Sequence, residues 1–167
     1  FQQLNRLQNT NLIIAGDIQT GATQVLFTDR DDAWVEVMEE MHWIEDGRRF
    51  LWLSERDGWQ HLYAVSVANH EITLLTPGAF DVISIVGVNE QQGCVYFLAS
   101  PDNPTQRYLY RVPLNGTGTA VRVSPSDQAG THSYDFSKDG RWAFHTFSRL
   151  GQPPVIDTVL VFLQEVH

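Results

Sequence analysis

Four turns constrain this chain more than any other feature. Asp46-Gly47, Gln92-Gly93 and Asp139-Gly140 fall 46 and 47 residues apart, and Asp57-Gly58 sits inside the first of the intervals they mark. Two further features keep the same ruler: Leu62-Tyr63 is answered by Leu109-Tyr110 after 47 residues, and Thr76-Pro77 by Ser124-Pro125 after 48. Asp-Gly steps supply the positive φ of tight hairpins. A period of 40–50 residues is that of a four-stranded propeller blade.

The stretch Phe50–Tyr63, FLWLSERDGWQHLY, shows what fills one period. Phe50, Trp52 and Ser54 alternate with Leu51, Leu53 and Glu55, and apolar residues on both faces fit a strand covered on either side. After Asp57-Gly58, Trp59, His61 and Tyr63 alternate with Gln60, Leu62 and Ala64, so a second strand returns beside the first. The fold class is therefore all-β, a partial propeller of four-stranded antiparallel blades. Residues 3–17 are expected to contain the third strand of an incomplete blade, with a turn at Asp17–Gly21 and a fourth strand at Thr23–Thr28. Strands near 41–45, 49–55, 60–67 and 71–76 make a complete blade, and strands near 82–88, 94–100, 107–114 and 119–124 a second. Strands near 131–136, 141–147 and 154–162 begin a final incomplete one. The blades span 1–29, 34–76, 80–125 and 131–167. Glu36–His42 alone lacks strand character and reads as a helical turn or an irregular strand.

Charge and composition narrow the function. Eleven Lys+Arg face 20 Asp+Glu, a formal charge of −9 that argues against nucleic acid, whose phosphates demand a basic surface. Acidic residues concentrate in Asp29–Asp46, expected as a solvated rim rather than a site for peptide amines. Nineteen aromatic residues supply a core: 5 Trp, 5 Tyr and 9 Phe. Cys94, the single cysteine, reads as a buried thiol in the run Cys94–Leu98. Phe1 opens the chain without a Met, and Glu165-Val166-His167 ends it abruptly, so a piece of a longer protein is expected.

The motifs that carry chemistry do not assemble in the sequence. No Ser stands in G-x-S-x-G, the sharp turn that exposes a hydrolase nucleophile. The six His show no metal-ligand spacing, and Asn115–Thr119 lacks the Lys and context of a phosphate loop. The residues thus read as a module without catalytic groups, metal or cofactor.

Several stretches together resemble a known family. Leu4-Asn5-Arg6-Leu7-Gln8-Asn9, Asp17-Ile18-Gln19-Thr20-Gly21, Trp34-Val35, and above all Ser54-Glu55-Arg56-Asp57-Gly58-Trp59-Gln60-His61-Leu62-Tyr63, with Phe80-Asp81-Val82-Ile83 and Ser133–Ser137 later, resemble the N-terminal propeller of the dipeptidyl peptidase IV family. The resemblance implies a parent serine exopeptidase that removes dipeptides after a penultimate Pro or Ala, with an eight-bladed propeller and an α/β-hydrolase domain, the latter outside this chain. It implies peptide substrates, that hydrolase domain and a homodimeric copy as the parent's partners, and a periplasmic, exported or membrane-associated location. The family's amine-binding glutamates lie in a helical insertion much earlier in the propeller, so Glu39-Glu40 does not inherit their role. By position, Trp34, Val37 and Met38 are expected to line the substrate cavity, although this chain has Val37-Met38-Glu39 where family members carry Phe-Arg. Trp52, Trp59, His61, Tyr63 and Tyr110 are expected in the core, with Trp59, Tyr63 and Tyr110 wedged between sheets. A non-enzymatic propeller that binds proteins is the alternative reading.

Overall fold

The computed structural model describes residues 1–39 and 41–161. Fourteen strands and no α-helix are found among them. The chain divides into two compact units, Phe1–Leu74 and Leu75–His167, each holding two antiparallel sheets.

The first unit opens with a three-stranded sheet of β1 (Gln2–Leu4), β2 (Thr10–Gly16) and β3 (Thr23–Arg30). Residues 3–17 thus hold all of β2, the expected strand before β3, and the end of β1 as well. The signal was in Asn5–Asn9: the Asn5 carboxamide oxygen accepts the Asn9 and Thr10 amides, and Gln8 takes a φ of 55°, so the chain reverses early. The second sheet is β4 (His42–Ile44), β5 (Arg49–Ser54), β6 (His61–Ser66) and β7 (Ile72–Leu74), in that order. Glu45, Asp46 and Gly47 all adopt left-handed φ between β4 and β5, which is the conformation the Asp-Gly step foretold. The described residues between β3 and β4 form neither helix nor strand; Glu40, half of the acidic pair, and residues 162–167, the end of the final blade as read from the sequence, lie outside the described residues.

Burial of both faces of β5 and β6 creates the core of this unit. Ile13, Leu26 and Phe27 from the first sheet meet Phe50, Trp52 and Val65 from the second. Phe27 is the hub, its ring 6.4 Å from Phe50 at 83° and 5.8 Å from Trp52, so the aromatics meet edge to face and tilted rather than in flat stacks.

The second unit repeats the pattern with β8 (Val82–Asn89), β9 (Cys94–Ala99), β10 (Tyr108–Pro113) and β11 (Val121–Arg122). Strand β11 is shorter than its expected 119–124, because the Val123 and Ser124 amides both turn onto the one carbonyl of Leu109. Beside it stand β12 (Thr131–Phe136), β13 (Trp142–Arg149) and β14 (Gln152–Leu160). Strand β14 begins two residues before the expected 154, since the turn at Leu150-Gly151 is tight, Gly151 having φ 80°. Cys94, Tyr96, Leu98, Leu109, Ala143 and Val161 form the core between these sheets. A parallel bridge from Arg107 to Thr131 stitches β10 to β12. Packing is close: a Cβ on Gly87 would lie 2.8 Å from the Phe136 ring.

Candidate functional site

The residues with most chemistry in the first unit gather where β3, β5 and β6 meet. Asp29 ends the inward face of β3 and is 4% exposed, so it is not part of a solvated rim as the acidic run suggested. Its carboxylate accepts the Trp52 indole N–H at 2.9 Å and the Ser54 hydroxyl, both from β5. A buried carboxylate persists where donors replace its hydration. Trp52 and Ser54 share one face of β5 by strand alternation, which is why one acceptor reaches both.

The turn after β5 adds a second pair. His61 Nδ1 stands 2.8 Å from Asp57, four residues earlier across the Asp57-Gly58 turn. Burial pushes the Asp57 carboxyl up, but bonds from His61 and Tyr63 and the His61 charge outweigh it and hold the group below the usual carboxylate range. Burial, with Asp57 as acceptor, pushes the Tyr63 phenol far above its ordinary value. Ser54 faces His61 across the ladder. Serine, histidine and aspartate thus adjoin, yet the Ser54 proton is directed at Asp29 and its hydroxyl is buried, so the group acts as a structural donor and not as a nucleophile.

Trp52, His61, Tyr63 and Tyr110 are buried. Trp59 is not: it is 42% exposed, a correction to its expected place in the core. It follows directly on the Gly58 turn and precedes the first ladder residue of β6, where alternation no longer means that a sheet lies opposite.

The three residues expected at a cavity lie in the irregular segment after β3. Asp31 caps it, accepting the Ala33 and Trp34 amides, and Val35 is buried with its amide bonded to the Gln8 carbonyl. Trp34, 50% exposed, lines a cleft of about 30 Å³ with Asp29, Asp31, Glu36, Ser54, Arg56 and Gln60 among others. Val37 is 46% exposed and does not line this cleft. Met38 turns the other way: it packs against the core, its sulfur meets the Leu53 amide, and its carbonyl accepts the Gln2 carboxamide at 2.6 Å. The segment therefore exposes an indole on an anchored backbone. Among the described residues no three His, Cys, Asp or Glu side chains group as metal ligands would.

Sequence reasoning missed a polar cluster in the second unit. His132 and His145 are buried and stacked 5.0 Å apart at 8°, with Asp157 bonded to His145 and Tyr134 stacked on it at 4.6 Å. The signal was available: a hairpin around Asp139-Gly140 sets Tyr134 opposite His145, which puts His132 diagonal to it on the same face.

A family model described as the dipeptidyl peptidase IV (DPP IV) N-terminal region matches residues 1–154. A "Probable dipeptidyl peptidase 4" of Aspergillus flavus is 30% identical over 116 residues, covering 65% of this chain and 15% of the relative. A "Probable dipeptidyl-aminopeptidase B" of Coccidioides posadasii is 32% identical over 126 residues, covering 70% and 14%. The chain thus spans about one-seventh of the length of these relatives. The crystal structure of Porphyromonas gingivalis dipeptidyl peptidase 4 superposes with a TM-score of 0.84 at 23% identity, over 95% of this chain and 22% of that one. That likeness supports the fold: an all-β partial propeller.

Proposed function

The chain belongs to the dipeptidyl peptidase IV N-terminal-region family, and from that premise we propose that it is the propeller portion of a serine exopeptidase releasing N-terminal dipeptides from peptides. Two complete blades, over 34–76 and 80–125, and two partial ones, over 1–29 and 131–167, form scaffold and substrate gate, while an α/β-hydrolase domain elsewhere in the parent carries the chemistry. The observation that supports this most is the family match over residues 1–154, joined by relatives named dipeptidyl peptidase and dipeptidyl-aminopeptidase. In this reading the chain alone is inactive, the parent acts after a penultimate Pro or Ala, and it works outside the cytoplasm.

Trp34, Val37 and Met38 divide the work at the substrate cavity. Trp34 and Val37 present apolar surface to a peptide, and Met38, held by the core and by Gln2, fixes the segment that bears them. The binding groups belong to the propeller and the reacting groups to the other domain, so selection and catalysis are separable.

Release of chromophore from a Gly-Pro-anilide by the full-length parent, with this chain assayed beside it, is the test. Activity in the parent alone supports the reading, and a folded but silent parent refutes it in favour of a protein-binding propeller. In an active parent, Trp34→Ala should raise KM with kcat little changed.

A further inference from the structure

Strands β12 and β13 carry two imidazoles into the second unit, and three hydrogen bonds link them into one chain. The Gln128 carbonyl lies 2.9 Å from His132 Nε2, His132 Nδ1 lies 2.8 Å from His145 Nε2, and His145 Nδ1 lies 2.9 Å from Asp157 Oδ1. A carbonyl and a carboxylate can only accept, so the three bonds require three ring protons. Two neutral imidazoles carry two. The pair therefore holds one extra proton, shared between rings whose outer nitrogens both donate.

The surroundings decide where that charge rests. Asp157, on β14, accepts the His145 Nδ1 proton. His132 faces Tyr108 of β10 at 5.4 Å and Phe147 of β13 at 4.9 Å, and the Arg122 guanidinium of β11 lies over the Tyr108 ring at 3.6 Å. Tyr134 of β12 stacks on His145, with its hydroxyl on Ser124. In the loop that supplies Gln128, Asp127 is exposed. Burial above all, then the His145 and Arg122 charges, push the His132 pKa below the ordinary imidazole value, against the opposing bond from the Gln128 carbonyl. His132 is thus the neutral member, donating through Nε2 and accepting through Nδ1.

We propose that Gln128, His132, His145 and Asp157 form a pH-responsive latch, which fastens loop 125–130 and strand β14 to the β12–β13 hairpin while the two imidazoles share one extra proton and opens when a second arrives. The second proton can go only to His132 Nδ1, where it meets the His145 Nε2–H head on, and the central bond is lost. The sign follows from linkage. A group that resists protonation when folded contributes stability that is complete above its unfolded pKa, near 6.5, and is lost as pH falls from there toward its lower folded value. One proton corresponds to at most about a tenfold loss per pH unit in that window.

Hydrogen exchange of the full-length protein followed by mass spectrometry between pH 7.5 and 5 tests this, with rates corrected for intrinsic exchange. Protection factors in 125–132 and 152–160 should fall by up to about tenfold per unit below pH 6.5, while those of β5 and β6 in the same molecule stay level. His132→Gln keeps a donor and an acceptor at that position and leaves His145 as the one titrating ring of the pair, and its profile should show no decline below pH 6.5. A wild-type profile at 125–132 no steeper than that of β5 and β6 overturns the latch without recourse to any variant. An equal decline in wild type and H132Q does so too.

Discussion

Asp29→Ala is the substitution whose cost follows most directly from the structure. The carboxylate is 4% exposed and accepts from the Trp52 indole and the Ser54 hydroxyl. Removing it strands two buried donors, each worth about 1–3 kcal/mol when unmade, so a loss of about 3–5 kcal/mol is expected. Ser54→Ala removes one charge-assisted bond but leaves Asp29 paired with Trp52, for about 1.5–3 kcal/mol. In the double variant Ser54 no longer has a hydroxyl to strand, so its cost should fall short of the sum of the singles by about 1–2 kcal/mol. Urea unfolding of the chain, followed by tryptophan fluorescence and far-ultraviolet circular dichroism, reads these differences: with a slope near 2 kcal/mol/M, Asp29→Ala should lower the midpoint by about 2 M. Strict additivity of the two singles, or a cost for Asp29→Ala below about 1 kcal/mol, would refute the buried bridge.

Other perturbations discriminate in the same assay. Trp52→Ala, deleting a fully buried indole between Phe27 and Phe50, should cost about 3–5 kcal/mol, whereas Trp59→Ala, with its ring substantially in water, should cost less than about 1.5 kcal/mol; equal costs would contradict the placement of Trp59. Gly130→Ala would put a Cβ 2.5 Å from the Ser148 carbonyl oxygen and should destabilise by about 1–3 kcal/mol, while Gly16→Ala, with open space around it, should be nearly silent. Burial pushes the Tyr96 and Tyr110 phenols up to about 12, so unfolded tyrosines lose protons first and stability should fall as pH climbs from about 10 toward 12. Absorbance at about 295 nm, where tyrosinate absorbs, should show these two ionising late, and a single transition near pH 10 for all five would count against it.

The positions of the turns carried most of the fold. Gly47, Gly93 and Gly140 adopt φ of 81°, 64° and 65°, a demand so local that the residue type alone reveals it. Alternation then set the strands of the two four-stranded sheets to within about two residues. It failed where a partner comes from another strand pair. Asp29 reads as one of a run of acids, since nothing in β3 alone says that Trp52 and Ser54 point toward it. Trp59 reads as strand because its neighbours do, although the tip of a hairpin outruns the sheet that would cover it. Met38 reads by position as a cavity residue, and no pattern in the sequence says that the backbone after Val35 turns its thioether onto the core. The latch residues were legible as a same-face pair once the hairpin register was set, but the link to Gln128 depends on a loop carbonyl that no side-chain pattern encodes.

Every sheet in this chain is a meander, its strands hydrogen-bonded in the order in which they occur. That arrangement has a kinetic consequence. Pairings in β4–β7 close across turns of a few residues, so each step fixes little chain entropy before it gains a ladder. An all-β protein wired in this way escapes much of the slowness that distant strand pairing imposes on sandwiches. On the ribosome, where the chain emerges at about 5–20 residues per second, one meander can be completed before the next is made. Few unpaired edges would then be exposed together, and a long array could assemble blade by blade as it is synthesised.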